Sequence, residues 1–221
     1  MIRSMLYDMM FGLPIDIATP NLYKVFLESV EENSKILEIG IGTGLTLERN
    51  ADIIKRKNIQ IHGVDINDAY LKTCKLKIEK TGLEGNVSIE LSDILDVGLH
   101  AGSYDYVLFM ESYPVIPKES LELIVRKIRK ACKKESGKIV FIHNLVEEDE
   151  WNILRAIIKA NLKKITSVEF GRLIVRSDFE RWCINLGLRL DLVQVIGELR
   201  VSFFKSSIRQ YMYFWKPGVQ N

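Results

Sequence analysis

Residues 35–47 read Lys35-Ile-Leu-Glu-Ile-Gly-Ile-Gly-Thr-Gly-Leu-Thr-Leu47, and no other stretch of the chain is as informative. Its first half is a short apolar run typical of a buried β-strand, and Gly40, Gly42 and Gly44 then precede an amphipathic run. Glycine lacks a Cβ atom and adopts positive φ angles without strain, so a ligand can lie directly on the backbone of such a turn. The stretch therefore predicts a strand, a turn and a helix that together bind a ligand near the helix N-terminus.

A carboxylate follows this unit at the end of the next predicted strand. Asp65 lies in Gly63-Val-Asp-Ile-Asn67, 21 positions after Gly44, where it can accept both hydrogen bonds of a ribose diol. This arrangement suits NAD and S-adenosylmethionine (SAM) alike. The usual dinucleotide motif is G-x-G-x-x-G, whereas the glycines alternate here and Leu45 follows them. The spacing therefore favours SAM.

From residue 35 the chain alternates short apolar runs with longer amphipathic ones, a pattern typical of a parallel sheet covered by helices. We predict an α/β fold with a doubly wound, mostly parallel seven-stranded sheet that ends in a C-terminal antiparallel strand pair. The predicted parallel strands are Lys35–Ile39, Gln60–Val64, Val87–Leu91, Tyr106–Met110 and Lys138–His143. The predicted terminal strands are Leu190–Ile196 and Ile208–Trp215, joined by a turn around Gly197–Ser207. The predicted helices are Leu22–Glu31, started by Pro20 and Asn21, then about Leu45–Lys57, Asp68–Thr81, Lys118–Lys134, Glu147–Leu162 and Ser177–Leu186.

The composition indicates an ordinary folded domain. The chain has 221 residues, 47% of them hydrophobic, and its formal net charge of +2 does not point to a nucleic-acid partner. We expect a single domain with an N-terminal lid or packing segment at residues 1–33, a cofactor-binding half at 34–145 and a substrate-side half at 146–221. The three cysteines lie far apart in the sequence, so we expect no metal site and a cytoplasmic location. The sequence shows neither a signal peptide nor an apolar run of about 18 residues.

Four motifs, in order along the chain, resemble those of the class I SAM-dependent methyltransferases. They are Leu37-Glu-Ile-Gly-Ile-Gly-Thr-Gly44, Ser92-Asp-Ile94, Tyr104-Asp-Tyr-Val-Leu108 and Gly137-Lys-Ile-Val-Phe141. The resemblance covers about residues 20–215. It implies that the cofactor is SAM and that S-adenosylhomocysteine (SAH) is the product.

The same resemblance implies roles for single residues. Glu38 is expected to orient the ammonium group of SAM, Gly40 and Gly42 to approach its methionine part, and Asp93 to lie near the adenine amine. The other expected cofactor contacts are Gly44, Asp65, Ile66, Ile94 and Met110. The alternatives are that the glycines form only a tight turn, that Asp65 caps a helix and that Asp93 is a turn residue.

The residues after the fourth predicted strand bear on the methyl acceptor. Met110-Glu-Ser-Tyr-Pro-Val115 stands where many methyltransferases of nucleic-acid amines carry Asn/Asp-Pro-Pro-Tyr, so no nucleic-acid substrate is expected. Glu111 and Tyr113 are candidate catalytic residues, because a carboxylate attracts an ammonium group and an aromatic ring offers a cation–π surface. His143, at the end of the fifth strand, is a candidate base or hydrogen-bond donor. A polar loop and a strand-end histidine without catalytic roles are the alternatives.

Within the class, the chain resembles bacterial-type phospholipid and small-molecule methyltransferases, including phosphatidylethanolamine N-methyltransferases. Tyr7-Asp-Met-Met-Phe-Gly12 and Ile36–Leu47 carry this resemblance, which implies that Tyr7 folds over the cofactor as part of a lid. Residues 1–13 have apolar side chains near helical spacing, which suits either peripheral membrane contact or packing on the domain.

We therefore expect methylation of a small-molecule acceptor, first of all N-methylation of an amine or amine headgroup. One alternative is O- or C-methylation of a small aromatic or quinone-like acceptor. Another is a catalytically silent SAM-fold protein that serves as a binding partner.

Overall fold

The computed structural model describes residues 13–148, 174–201 and 206–218. Within these ranges the helices are α1 (Leu13–Ser29), α2 (Leu45–Arg49), α3 (Ala51–Arg56), α4 (Asp68–Thr81), α5 (Lys118–Ala131) and α6 (Arg176–Asn185), with a 3-10 turn at Tyr113–Val115. The strands are β1 (Lys35–Ile39), β2 (Gln60–Asp65), β3 (Val87–Leu91), β4 (Tyr106–Met110), β5 (Lys138–Val146), β6 (Leu188–Val201) and β7 (Ser206–Pro217). These seven strands form one sheet in the order β3-β2-β1-β4-β5-β7-β6, and β7 is antiparallel to both neighbours. The predicted fold class and the terminal antiparallel pair are confirmed.

The first of two compact units, which ends at Asp96, is built on parallel strands. β2 pairs in parallel with β1 on one side and with β3 on the other. Every residue of β1 after Lys35 is buried, as expected for a parallel strand covered on both faces. α4 begins where the Asn67 side chain accepts a hydrogen bond from the Tyr70 amide at 3.2 Å, and Gly82 ends it with a φ of 62°. The predicted limits of α4 are confirmed.

The predicted helix Leu45–Lys57 is wrong as one element, because Asn50 divides it into α2 and α3. Asn50 leaves helical geometry at φ −121° and ψ 19°. Its side-chain amide donates to the Thr46 carbonyl at 2.8 Å, so a side chain replaces a backbone donor at that carbonyl.

The prediction that a helix starts at Pro20 is also wrong, since α1 already begins at Leu13. Pro14 is the second residue of α1, and proline suits the first turn of a helix because the amide it lacks has no partner there. The proline that marks the start of α1 is therefore Pro14, six residues before Pro20.

The C-terminal end of α1 is held by a lysine from the end of α3. Lys57 is only 8% exposed, and its ammonium group donates to the carbonyls of Leu27 and Glu28 at 2.9 Å each and to that of Val30. These carbonyls belong to the last turn of α1 and the residue after it, where a helix has unpaired acceptors and a partial negative charge. A buried cation therefore caps α1 from outside the helix.

The second unit, from Val97 onward, combines a parallel pair with an antiparallel pair. β4 pairs in parallel with β5, and β7 lies antiparallel between β5 and β6. β5 runs three residues beyond its predicted end because β7 pairs with it as far as Val146. α5 ends three residues early, because the Tyr104 amide bonds to the Ala131 carbonyl and the Lys133 amide to the Tyr104 carbonyl.

Gly197 does not belong to a turn as predicted, because β6 continues through it to Val201. A register shift between Val195 and Gly197 lets the strand pass this point, and Gly197 then pairs with Gln210 of β7.

The predicted helix Ser177–Leu186 is confirmed to within one residue as α6. Most of the predicted helix Glu147–Leu162 lies outside the described residues. Among the described helices, none is long and apolar enough to cross a membrane.

Candidate functional site

The glycine turn after β1 has left-handed backbone geometry at each of its three glycines. The φ angles are 78° at Gly40, 62° at Gly42 and 69° at Gly44, a region that side chains with a Cβ atom rarely enter. A Cβ atom on Gly44 would lie 2.7 Å from the Cys74 sulfur, so this glycine also allows α4 to pack against the turn. A Cβ atom on Gly42 would meet nothing within 4 Å, which leaves open space beside the backbone at that position.

A second glycine position shapes the turn from β2. A Cβ atom on Gly63 would lie 2.1 Å from Cδ1 and 2.9 Å from Cβ of Ile41, which is a buried residue of the turn. The Ile41 side chain thus occupies the space that a larger residue at position 63 would need. The Gly40 amide also donates to the Val64 carbonyl at 2.8 Å, so the turn is fixed to β2 by packing and by a backbone bond.

Asp65 organises the turn at the end of β2. Its Oδ2 accepts from the Gly42 amide at 2.9 Å, and its Oδ1 accepts from the Asn67 amide, also at 2.9 Å. Each carboxylate oxygen has a further lone pair, so both can still accept a ribose hydroxyl. The structure thereby places the predicted ribose ligand in direct contact with the predicted methionine-binding turn.

Asp93, the predicted adenine contact, and the predicted cofactor contacts Ile66 and Ile94 lie just after the ends of β2 and β3. Ile66, directly after Asp65, is 77% exposed, which makes its side chain available to a ring. Asp93 is exposed, and its Oδ1 accepts a hydrogen bond from the Leu95 amide at 2.9 Å. Asp93 therefore stabilises a turn, and the predicted contact with adenine would be a second role. Ile94 is 5% exposed and packs in the interior. The Ser92 amide bonds to the Asp65 carbonyl at 3.1 Å, which joins the two strand ends.

Glu38 is a buried carboxylate beneath the glycine turn, and its partner comes from α1. It is 1% exposed, and the hydroxyl of the fully buried Tyr23 donates to its Oε2 at 2.7 Å. Burial raises the pKa of Glu38 to about 8, although the hydrogen bond from Tyr23 acts in the opposite direction. Sequence reasoning missed Tyr23, because the two residues are 15 positions apart and no local pattern connects them.

Glu111 lies directly after β4 in strained backbone geometry. Its φ is 55°, and among the described residues the other non-glycine positions with positive φ are Asn33 and Asn58, a residue type that tolerates this region better. The Glu111 amide donates to the Ile142 carbonyl at 2.9 Å, and the Asn144 side chain donates to Glu111 Oε1 at 3.1 Å. Burial raises the pKa of Glu111 to about 7, against the lowering effect of the Asn144 hydrogen bond. Such strain and such a carboxyl pKa are common at functional sites.

Tyr113 and His143 lie together in an aromatic cluster. Their ring centroids are 5.1 Å apart, and Phe179 of α6 lies 5.3 Å from Tyr113 and 4.7 Å from His143. His143 is fully buried, neither of its ring nitrogens has a hydrogen-bond partner within the described ranges, and burial lowers its pKa to about 3. These features describe a packed neutral ring, so the catalytic role of His143 stays a prediction.

The residues predicted for the acceptor side approach opposite faces of β5. Successive residues of a strand point to alternate faces, so His143 and Asn144 belong to different faces. Glu111 is bonded to Asn144, whereas Tyr113 packs against His143. A pocket shared by Glu111 and Tyr113 stays a prediction. Met110, which is 7% exposed, is buried at the end of β4, and the predicted lid residue Tyr7 lies outside the described residues.

Comparisons with known proteins find a matching domain and a shared fold. Residues 36–135 match the family model described as a methyltransferase domain. A phosphatidylethanolamine N-methyltransferase of Cereibacter sphaeroides is 25% identical over 114 residues, which are 52% of this chain and 52% of that protein. The matched part spans about half the length of the curated relatives.

Solved structures share the fold at low sequence identity. A SAM-dependent methyltransferase from Methanosarcina mazei superposes with a TM-score of 0.67 at 14% identity, over 89% of this chain and 98% of that one. Geranyl diphosphate C-methyltransferase from Streptomyces coelicolor, in complex with SAH, has a TM-score of 0.62 at 12% identity, over 90% of this chain and 78% of that one.

Proposed function

Since this chain carries a class I SAM-dependent methyltransferase domain, we propose that it binds SAM and transfers the methyl group to a small amine or an amine headgroup. One observation carries the cofactor part of the proposal. Asp65, the predicted ribose ligand, directly holds the glycine turn that would receive the methionine part. A single carboxylate therefore links the two halves of an adenosyl amino acid.

The observation that favours an amine is the carboxyl group of Glu111. It lies at the end of β4, partly buried, in a backbone geometry that costs free energy, and Asn144 fixes one of its oxygens. A carboxylate in such a place attracts a cationic amine out of water. With a pKa of about 7, it can also accept the proton that the amine gives up near neutral pH.

The reaction is a displacement at the methyl carbon of the sulfonium. The neutral amine donates its lone pair to that carbon, the carbon–sulfur bond breaks and its electron pair goes to sulfur, so SAH leaves uncharged. The product is a methylated ammonium that keeps its remaining protons, and the proton that Glu111 accepted from the amine before the attack then passes to water. Because little other chemistry is needed, we attribute most of the rate to alignment of the two substrates and exclusion of water.

Phosphatidylethanolamine is one candidate acceptor within this proposal. The relative from Cereibacter sphaeroides supports it, although the match covers only half of each chain. In this version residues 1–13 contact the membrane surface and Tyr7 closes over the cofactor. Nearly all of these residues precede the described part of the chain, so the proposal rests on their sequence. We also propose a cytoplasmic location, which suits the three buried free cysteines.

A C-methyltransferase is the second candidate function. The structural likeness to geranyl diphosphate C-methyltransferase supports it. In this case Glu111 would serve as a base toward carbon rather than as an anchor for an ammonium group.

Calorimetric titration with SAM, SAH and NAD tests the cofactor. Binding of both adenosyl ligands but not of NAD is the expected result. Asp65→Ala is the informative variant, because loss of the ribose contacts should weaken SAM binding by about 1–3 kcal/mol. If the chain binds NAD alone, or if Asp65→Ala keeps full affinity for SAM, this part of the proposal is wrong.

A methyl-transfer screen of small amines, phosphatidylethanolamine vesicles, phenols and prenyl diphosphates then tests the acceptor. Glu111→Gln keeps the shape of the side chain and removes its charge. We expect it to lower turnover of the amine at least tenfold while SAM affinity changes less than twofold. A loss confined to SAM binding would move Glu111 to the cofactor site, and transfer to prenyl diphosphates alone would favour the second candidate.

A further inference from the structure

Tyr23 connects α1 to the floor of the glycine turn. The hydroxyl of Tyr23 and Oε2 of Glu38 are 2.7 Å apart, and both side chains are almost completely shielded from water. The Tyr23 ring also packs against Phe26 at a centroid distance of 6.2 Å, so the hydroxyl has little freedom to turn away. The hydrogen bond therefore fixes the orientation of the Glu38 carboxyl group.

No positively charged group of the described residues compensates the carboxylate of Glu38. Within the described part of the first unit, Glu38 has no ion pair, and the titratable groups that act on it or on Tyr23 are each other and Cys74 of α4. Cys74 in turn is affected by Lys77 and Asp65. A buried carboxylate without a cation is unfavourable, so this site suits a ligand that brings a cation of its own.

The rest of α1 holds Tyr23 in place. Lys57 bonds to three carbonyls at the C-terminal end of the helix, one to two turns beyond Tyr23, and Arg56 forms an ion pair with Glu28 at 2.8 Å. These contacts fix the last turns of α1 on the same unit that carries the glycine turn. Tyr23 is therefore presented to Glu38 by a rigid support.

We propose that Tyr23 is a positioning residue, which acts through Glu38 to set the affinity for the amino-acid end of SAM. Tyr23 occupies one lone pair of Oε2, and a carboxylate has several further acceptor sites for the ammonium group or for a bridging water. This inference rests on the proposed SAM binding and adds a residue outside the four sequence motifs.

The substitution Tyr23→Phe tests the inference because it removes only the hydroxyl. SAM and SAH both carry the ammonium group, whereas 5′-methylthioadenosine has the same nucleoside without the amino-acid end. We expect Tyr23→Phe to weaken SAM and SAH about tenfold, as for loss of a hydrogen bond to a charged group, and to change methylthioadenosine less than twofold. A role limited to folding would weaken all three ligands alike and would overturn the inference.

The double variant Tyr23→Phe, Glu38→Gln shows whether Tyr23 acts through Glu38. If it does, adding Tyr23→Phe to Glu38→Gln causes less than a twofold further loss of SAM affinity. A full additional tenfold loss would overturn the inference. Titrations between pH 6 and 8 give an independent result: affinity should rise with pH as Glu38 ionises, and in Tyr23→Phe this rise should move to higher pH.

Ligand binding by the wild-type protein distinguishes failure of the proposed function from failure of the proposed role of Tyr23. If it binds neither SAM nor SAH, the proposed function fails and the inference fails with it. If it binds both ligands and Tyr23→Phe binds them equally well, only the role of Tyr23 is wrong.

Discussion

Lys57, which directly follows α3, should stabilise the protein more than the exposed lysine within α3. Its ammonium group is the cap of α1, with donor–acceptor distances of 2.9 Å to the Leu27 and Glu28 carbonyls and a further bond to Val30. Lys57→Met keeps an unbranched apolar stem and removes the cap. The carbonyls at the end of α1 then lose their charged donor.

The size of the effect follows from these contacts. Hydrogen bonds from a charged donor contribute about 1.5–3 kcal/mol, and a cation at a helix C-terminus adds about 0.3–2 kcal/mol. Methionine avoids the cost of burying an ammonium group, which offsets part of the loss. We expect a net decrease of roughly 3 kcal/mol in the free energy of unfolding, or roughly 6–12 °C in Tm for a chain of this length.

Urea unfolding followed by circular dichroism measures this change. Lys55→Met is the matched control, because Lys55 is an exposed lysine two positions earlier in α3, and its loss should change stability by less than about 0.5 kcal/mol. Equal stability of the two variants would refute the reasoning that Lys57 caps α1.

Three further predictions concern the site. Burial raises the pKa of Glu38 from 4.5 in the unfolded chain to about 8 in the folded protein. Between these two pH values the folded state keeps a proton on Glu38 that the unfolded state has lost. The free energy of unfolding should therefore fall, by at most about 5 kcal/mol, as the pH rises through this window. Urea unfolding at pH 5 and at pH 8 measures this change, and the free energy of unfolding should fall less between these pH values in Glu38→Gln than in the wild type. An equal fall in both proteins would show that Glu38 does not cause the pH dependence. Gly44→Ala should lower the free energy of unfolding by roughly 2–4 kcal/mol through its positive φ and its clash with Cys74, and Cys74→Ala in the same chain should restore only part of the loss. His143→Phe should leave the free energy of unfolding unchanged or raise it by about 1 kcal/mol, because it removes buried nitrogens that have no hydrogen-bond partner among the described residues. A loss above about 2 kcal/mol would mean that the imidazole has a partner elsewhere in the chain.

Elements with local signals were predicted to the residue. β1, β3 and β4 are short apolar runs between turn residues, and α4 lies between Asn67 and Gly82, which cap it in the structure. Asn50 also carried a signal, because asparagine competes with the helix backbone for hydrogen bonds, but the amphipathic pattern on both sides of it favoured one continuous helix.

The candidate site was predictable where the motif itself supplies the contacts. The bond between Asp65 and the Gly42 amide joins a residue of the first motif to the carboxylate predicted after the next strand, and the sequence predicted that both face one ligand. Tyr23 and Lys57 were not predictable, because their partners lie 15 to 30 residues away and are chosen by the packing of α1. Tyr113 shows the same limit. Its neighbours in sequence gave no sign of the ring of Phe179, 66 positions later.

The contact between Gly63 and Ile41 sets a rule for how this sequence can change during evolution. Rotation of the isoleucine side chain can relieve the 2.1 Å approach to its Cδ1 atom, but it cannot relieve the 2.9 Å approach to its Cβ atom. Position 63 is therefore unable to gain a side chain while isoleucine stays at position 41. Among homologues that keep this turn, a side chain at position 63 should occur together with glycine at position 41, and substitution histories should record the glycine at position 41 first.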